Sequence, residues 1–463
     1  MTFNYPSSLK KPLLSTALAL SIALSGALPI HAAAAPTAAS QASLTAPLTQ
    51  AAKENQLFLQ EKYGISFQSA AISKGQFLVA VAAILDLGKP SSSPVFADLN
   101  ETSPYYSAAA ALYEHGILTS STVQVDQPLT AAASLYIAVK AAELKELAST
   151  YSKEKTEAAL KKLNLSAKGI PTSAAQELAT AVDTGLLPTS LYQEIKGRNA
   201  SAALSEALLV NILSFKGQYK HYIGYTSDDQ IFSKLTDAYH TSNLIQAPEL
   251  QQVVDSALKQ ALVTGYNLKD ARYDANFVDS LTLTYGHDNL KHAIQLIGLL
   301  RSEGLNAKVQ LEPKTSAFIY LKEWGEPVET NDYKVVQIDN GNYIAYAKEY
   351  DIKFEFNNAA DKTRFQPIIL QYAKKNSEDQ TGLIASSWWQ PLYYSLTELK
   401  EYEQITNNVI VGSDHYYAQS FSLNKDAAAI VEGFTKLNPS LKIESYKFWV
   451  DKPFFNYLNG ESL

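Results

Sequence analysis

The chain contains no cysteine and only one methionine among its 463 residues. It can therefore form no disulfide bond, supply no thiolate nucleophile and carry no lipid on an N-terminal cysteine. Charged residues are also sparse, at 18% of the chain, and the net charge is −7. This balance argues against nucleic acid or an anionic membrane surface as a partner. A chain of this length can be stabilised by the packing of its core alone.

Long apolar runs are equally rare, and the clearest one extends from Pro12 to about Ile30. Lys10 and Lys11 precede it and a run of small residues ending at Ala35 follows, which is the pattern of a signal peptide. No second apolar stretch approaches the roughly 20 residues that a membrane-spanning helix needs. We therefore expect a signal peptide at residues 1–33, an Ala/Pro/Thr-rich linker at 34–47, and secretion.

Between residues 48 and 217 one order of features occurs three times, at about 48–90, 94–150 and 165–217. In each segment an Ala-rich amphipathic stretch ends in a glycine and an apolar residue, a loop follows, and a Ser or Thr precedes a second apolar helix. Glycine is favoured after a helix and Ser or Thr before one. The glycines are Gly64, Gly116 and Gly185, and the Ser/Thr residues are Ser73, Thr130 and Ser201. Units of this kind bury their apolar faces against their neighbours.

The second segment, with Phe96-x-Asp98, Gly116-Ile117 and Pro128-Leu129-Thr130, resembles a repeat of the S-layer homology (SLH) family. The first keeps Ile72-Ser73-Lys74-Gly75-Gln76-Phe77, and about a third of the chain is covered. The resemblance implies a three-repeat all-helical bundle whose grooves bind secondary cell-wall polysaccharide in a protein of Gram-positive type. The candidate ligand residues that it implies are Ser73, Lys74, Gln76, Asp98 and Thr130.

The same resemblance places an arginine after the Ser or Thr of each repeat, where its guanidinium would pair with a carboxylate on a sugar. Here those positions hold Lys74, Ala131 and Ala202, so two of the three grooves lack the cation. Helix capping and turn formation are the alternative roles of Asp98 and Thr130. The alternative role of Lys74 is that of an ordinary solvated lysine.

Residues 218–463 differ in their sequence pattern from the preceding segments, because strand and helix patterns alternate there. Segments 333–338 and 343–347 flank Asp339-Asn-Gly-Asn342, which predicts a β-hairpin. Helices are expected at about 359–375 and 425–437. The simplest fold for this pattern is an α+β domain, an antiparallel sheet with helices on one side.

The stretch from Gly286 to Val309 is similar to the core of the transglutaminase-like family: a helix, then Leu-Leu-Arg-x-x-Gly, then a strand. The resemblance places Asn289 where the family has its nucleophilic cysteine and Ser316 where it has its histidine. Neither side chain supports that acyl-transfer chemistry, so the resemblance implies a scaffold without this activity. The alternative is an ordinary amphipathic helix at 290–302, stopped by Gly304 and followed by a strand.

Other candidate sites rest on single features. Trp388 and Trp389 could contact a glycan, although core packing in a strand is the competing role. His287 and His292 are five residues apart, which on one helix places them on different faces, and no zinc motif accompanies them. No metal or cofactor is predicted.

The sequence thus predicts a secreted cell-surface protein, not an enzyme, held non-covalently on wall polysaccharide and displaying its C-terminal domain. One alternative is a secreted hydrolase that acts on wall peptide or glycan through that domain. A second is a protein-interaction module of the cell envelope.

Overall fold

The computed structural model describes residues 42–68, 72–339, 341–372, 393–412 and 414–461. Trp388 and Trp389 lie outside these ranges. Residues Thr49–Leu463 belong to one compact unit. No helix in the described ranges is both long and apolar enough to span a membrane.

The first half of the chain is helical. Its helices are α1 (Ala42–Tyr63), α2 (Lys74–Ile84), α3 (Tyr106–Glu114), α4 (Ala131–Ala141), α5 (Lys145–Ser149), α6 (Lys153–Lys162), α7 (Thr172–Asp183) and α8 (Ala202–Phe215). Their buried faces share one apolar core, to which α1 contributes Phe58 and α8 contributes Leu208.

The predicted helix boundaries are confirmed at the positions of the predicted capping residues. The side chains of Ser73, Thr130 and Ser201 accept hydrogen bonds from backbone N–H groups in the first turns of α2, α4 and α8. Gly64 and Gly116 follow α1 and α3 with φ of 65° and 70°, a conformation that glycine adopts without steric cost.

The expected bundle of three like helical repeats is not established, and the helices depart from it. Two further helices are present: α5 lies at the end of the second segment, and α6 lies between the second and third segments. The segments also meet through short extended contacts, the β-bridges Ser73↔Pro128 and Thr130↔Asn199, so the region is not purely helical. The polar sequence from about Lys145 to Lys162 supplies the two extra helices.

The second half of the chain contains the strands and the remaining helices. The strands are β1 (Gly224–Tyr225), β2 (Gly265–Asp270), β3 (Thr282–His287), β4 (Ala307–Tyr320), β5 (Tyr333–Gln337), β6 (Tyr343–Phe356), β7 (Tyr393–Ser395), β8 (Glu403–Val411), β9 (Tyr416–Ser422) and β10 (Lys442–Val450). The helices are α9 (Ile231–Thr241), α10 (Pro248–Lys259), α11 (Leu290–Ser302), α12 (Ala359–Tyr372), α13 (Ala427–Leu437) and α14 (Lys452–Leu458). Antiparallel pairing of β5 with β6 confirms the predicted hairpin.

The predicted fold of an antiparallel sheet with helices on one side is wrong, because the antiparallel sheet closes into a barrel. Eight strands follow one another in the order β4-β2-β9-β8-β10-β7-β3-β6. β6 then pairs with β4 from Ala307↔Phe356 to Tyr320↔Tyr343, which completes the ring. β1 and β5 extend the sheet beside β4 and β6.

Along β4 and β2 the barrel has its apolar face outside and its polar face inside. On β4, Val309 and Leu311 face outward into a core shared with α9, α11 and α12. On β2, Leu268 packs outward with residues of α10 and α13. Residues that alternate with these point inward and are polar, such as Glu312 and Lys314 of β4, which are 0% and 2% exposed. Helices therefore cover the outside, while the barrel wall itself shields the charged inner face.

Candidate functional site

The loop before α2 is fixed by a capping box. Ser73 Oγ accepts from Gln76 N–H at 3.1 Å, and Gln76 Oε1 accepts from Ser73 N–H at 2.9 Å. Thr130 Oγ1 likewise accepts from Ala133 N–H at 3.1 Å. Capping accounts for these three predicted side chains, since each satisfies a backbone group that the helix start leaves unpaired.

The three capped loops are joined to one another by a repeated hydrogen-bond pattern. At the first junction Lys74 N–H donates to Gln127 O at 2.9 Å, and Leu129 N–H donates to Ile72 O at 2.8 Å. The second junction repeats this arrangement one segment further along the chain. There Ala131 N–H donates to Arg198 O at 3.4 Å and Ala200 N–H donates to Leu129 O at 2.8 Å.

Asp98 and Lys74 lie close enough at the first junction to influence each other's titration. Asp98 accepts backbone hydrogen bonds from Val123 at 2.8 Å and Gln124 at 2.7 Å, and the bond from Val123 is the main cause that lowers the pKa of Asp98. Burial lowers the pKa of Lys74, although the charge of Asp98 opposes it. Asp98 thus shapes the loop, while Lys74 is a partly buried cation at its edge.

Arg198 is a residue that the sequence argument missed. It occupies at the second junction the backbone position that Gln127 occupies at the first, and its side chain is exposed. The SLH-like pattern concerns only the residue that follows each Ser or Thr. A cation on the facing segment becomes visible only when the pairing of the two segments is known.

The two transglutaminase-like positions have separate structural roles. Asn289 is exposed, precedes α11 and accepts a hydrogen bond from Lys291 N–H at 3.0 Å. Ser316 is fully buried inside the barrel, where its Oγ contacts Asn267 Oδ1 at 2.5 Å and Glu349 Oε2 at 2.8 Å. Capping and the internal polar network account for these two side chains.

His287 and His292 do face each other, contrary to the expectation from their spacing. His287 ends β3 and α11 begins only at Leu290, so the two residues do not share a helix. Their ring centroids are 3.9 Å apart. Burial and the neighbouring His287 lower the pKa of His292 to about 4. Among the described residues no group of three His, Asp or Glu is placed to hold a metal ion.

The centre of the barrel holds an ion network that the sequence argument also missed. Lys269 Nζ lies 2.5 Å from Glu312 and 2.8 Å from Asp351, and Lys314 Nζ lies 2.7 Å from Asp351. Lys353 Nζ approaches the other oxygen of Glu312 at 2.8 Å. Burial alone would raise the pKa of Asp351, but Lys269 and Lys314 hold it well below its ordinary value.

A second network links the helical half to one end of the barrel. Glu54 of α1 lies 2.7 Å from Lys220 Nζ and 2.8 Å from Lys308 Nζ, and both lysines also contact Glu355. Burial would lower the pKa of Lys308, but the carboxylates of Glu355 and Glu54 raise it. Glu61 adds a hydrogen bond from Ser280 N–H at 3.1 Å. The helical half and the barrel are therefore joined through polar contacts.

A cavity of about 390 Å³ opens at the end of the barrel where the β2–β3 connection meets the β8–β9 hairpin. Its wall combines charged, amide and hydroxyl groups with tyrosine rings, among them Lys353, Asp274, Gln419, Thr284, Tyr417 and Tyr446. Burial and the charge of Glu312 raise the pKa of Asp274 to about 6. Volumes of this order are typical of small-molecule sites.

The chain was compared with protein-family models and with curated proteins. No protein-family model matches the chain, and no curated protein matches it.

Proposed function

We propose that this chain is a secreted cell-surface protein that docks non-covalently on cell-wall polysaccharide through the loops that precede α2, α4 and α8. In this proposal the SLH-like motifs mark the docking surface, and the barrel is the part displayed at the surface. Secretion would follow from the signal-peptide pattern at residues 1–33.

The observation that carries the proposal is the repeated junction. Two successive pairs of loops meet through the same backbone hydrogen bonds, at Ser73↔Pro128 and at Thr130↔Asn199. A repeated junction offers successive units of a polymer a similar surface, which suits a repeating glycan.

The charges at the junctions suit an acidic polysaccharide. Lys74 is partly buried at the first junction, and Arg198 is exposed at the second. A cation that is already partly desolvated gives up less hydration when an anionic sugar substituent binds. The capped loops hold the backbone around both cations in place, since Ser73 and Thr130 satisfy the adjacent helix ends.

Replacing Lys74 tests the proposal. We expect Lys74→Ala to reduce the affinity for purified cell-wall sacculi at least about tenfold, since a hydrogen bond to a charged group contributes about 1.5–3 kcal/mol. Lys74→Arg should retain binding, because a guanidinium can replace the ammonium. Binding is measured by co-sedimentation over a range of protein concentrations.

Lys168→Ala is the matched control, because Lys168 is an exposed lysine on the loop between α6 and α7. Equal urea midpoints for all variants would show that folding is intact. If Lys74→Ala and Lys168→Ala bind sacculi as well as the unchanged protein, Lys74 has no part in docking and the proposed surface is wrong.

A further inference from the structure

Aromatic rings pack together inside the barrel beyond the residues that line the cavity. Toward the end of the barrel that carries α14, Phe421 lies 5.1 Å from Phe448 and 6.1 Å from Phe454 between ring centroids. The cavity opens between the β2–β3 connection and the β8–β9 hairpin. A ligand would therefore enter between these two connections.

The buried charges of the cavity wall are paired with each other. Lys353 Nζ lies 2.8 Å from Glu312, which also neutralises Lys269. Asp274 accepts a hydrogen bond from Tyr417 Oη at 2.8 Å. In this buried part of the wall an ionic ligand would lose its hydration without gaining an unpaired opposite charge, whereas the charged lining residue Asp414 is exposed. The wall therefore favours an uncharged ligand.

Gln419 provides a buried acceptor without a protein donor. Its residue is 7% exposed, its Oε1 receives no hydrogen bond, and it lines the cavity. A buried polar atom without a hydrogen bond is unfavourable, so a ligand hydroxyl or amide N–H that donates to it, once the Gln419 side chain turns toward the cavity, would recover this energy. The ligand that fits is therefore a hydrogen-bond donor as well as uncharged.

Tyrosine rings form the remaining wall. Tyr446 points into the barrel, since its Oη accepts from Asn407 Nδ2 at 2.8 Å, yet it remains 39% exposed. Tyr446 is one of the residues that line the cavity. Tyr394 and Tyr417 also line the cavity. Tyrosine combines a flat apolar ring with a polar edge, which matches a sugar ring with its C–H faces and hydroxyl rim.

We propose that the barrel cavity binds a neutral saccharide of one or two sugar units. The pairing of the wall charges selects against ions, the free oxygen of Gln419 selects for a donor, and the tyrosines supply the stacking surface. This binding site is separate from the wall-docking loops, so it adds a second activity to the proposed function.

The test is calorimetric titration of the full chain with three neutral disaccharides: cellobiose, maltose and N,N′-diacetylchitobiose. We expect saturable binding of at least one of them. Glucuronic acid and glucosamine serve as charged probes, and both should bind at least about tenfold more weakly. Absence of saturable binding by all three neutral probes, or equal binding of a charged probe, would overturn the proposal.

Two variants locate the binding. Gln419→Leu removes the acceptor at similar volume, and Tyr446→Ala removes a ring; each should weaken binding about tenfold. Tyr273→Ala is the control, because Tyr273 is 44% exposed and is not part of the cavity wall. Should Tyr446→Ala fail to fold, as judged by its urea midpoint, Gln419→Leu decides the outcome. Binding that neither folded variant weakens would contradict the assignment to the cavity.

Co-sedimentation with sacculi separates this proposal from wall docking. Gln419→Leu should bind sacculi like the unchanged protein, because no described residue of the loops at Ser73 and Thr130 lines the cavity. Loss of sacculus binding in Gln419→Leu would instead mean that the cavity and the wall-docking site are one site, and would overturn their separation.

Discussion

At the scale of single residues, Glu206 makes the stability of the helical half depend on pH. It lies on α8, is 5% exposed, and burial raises its pKa from 4.5 to about 7. Between these values the folded chain binds more protons than the unfolded chain, so stability decreases as the pH rises. For a pKa shift of this size, the free energy of unfolding is lower by up to about 3 kcal/mol above pH 7.

We therefore expect Glu206→Gln to be more stable than the unchanged protein at pH 8 and to differ little from it at pH 5. Urea unfolding at a series of pH values measures this. Glu101→Gln is the control, because Glu101 is exposed on a turn and should leave the pH dependence as it is. A Glu206→Gln protein with the original pH dependence would show that Glu206 ionises in the folded chain without cost.

Residues that act locally were predictable from the sequence, whereas residues that act through distant partners were not. Ser73 and Thr130 cap helices that start one residue later, so the signal and its effect lie together in the chain. Lys314 pairs with Asp351 from another strand. A lysine that alternates with apolar residues normally indicates a solvated face, and only barrel closure places it inside.

At the scale of elements, α1 connects the helical half with the barrel. Its Glu54 is shared by Lys220 and Lys308, and burial would raise the pKa of Glu54 if these two lysines did not lower it. We expect Glu54→Gln to destabilise the docking of α1 by about 1–3 kcal/mol, since both lysines lose part of their charge compensation.

Hydrogen exchange measures this effect element by element. Amide protons of α1 should exchange faster in Glu54→Gln, while those of α4 and of strands β8 to β10 should be unchanged. Glu101→Gln again serves as the control. Uniformly faster exchange throughout the chain would contradict a local role for α1, and unchanged exchange would mean that the ion network contributes nothing to its docking.

The strands show which parts of an element the sequence determines. The hairpin of β5 and β6 was predicted from its turn residues, because the turn and the pairing are adjacent in the chain. Closure of the barrel is not predictable in this way. It requires β4 and β6 to curve together through fourteen paired positions, and curvature leaves no short signal in the sequence. His287 and His292 were misjudged for a related reason, since the start of α11 lies between them.

At the scale of the whole molecule, the two proposed activities lie in two regions of one compact unit. We propose wall docking by the capped loops of the helical half and binding of a neutral saccharide by the cavity of the barrel. The SLH-like motifs led to the first assignment from the sequence. The second required the barrel, because Gln419, Tyr446 and Asp274 come from separate parts of the chain.

The most direct test of the central claim is co-sedimentation of the protein with purified cell-wall sacculi, before and after chemical removal of their secondary polysaccharide. The account predicts binding to intact sacculi and its loss once the polysaccharide is removed. Binding that persists on stripped sacculi, or no binding to either preparation, would contradict docking on this polymer.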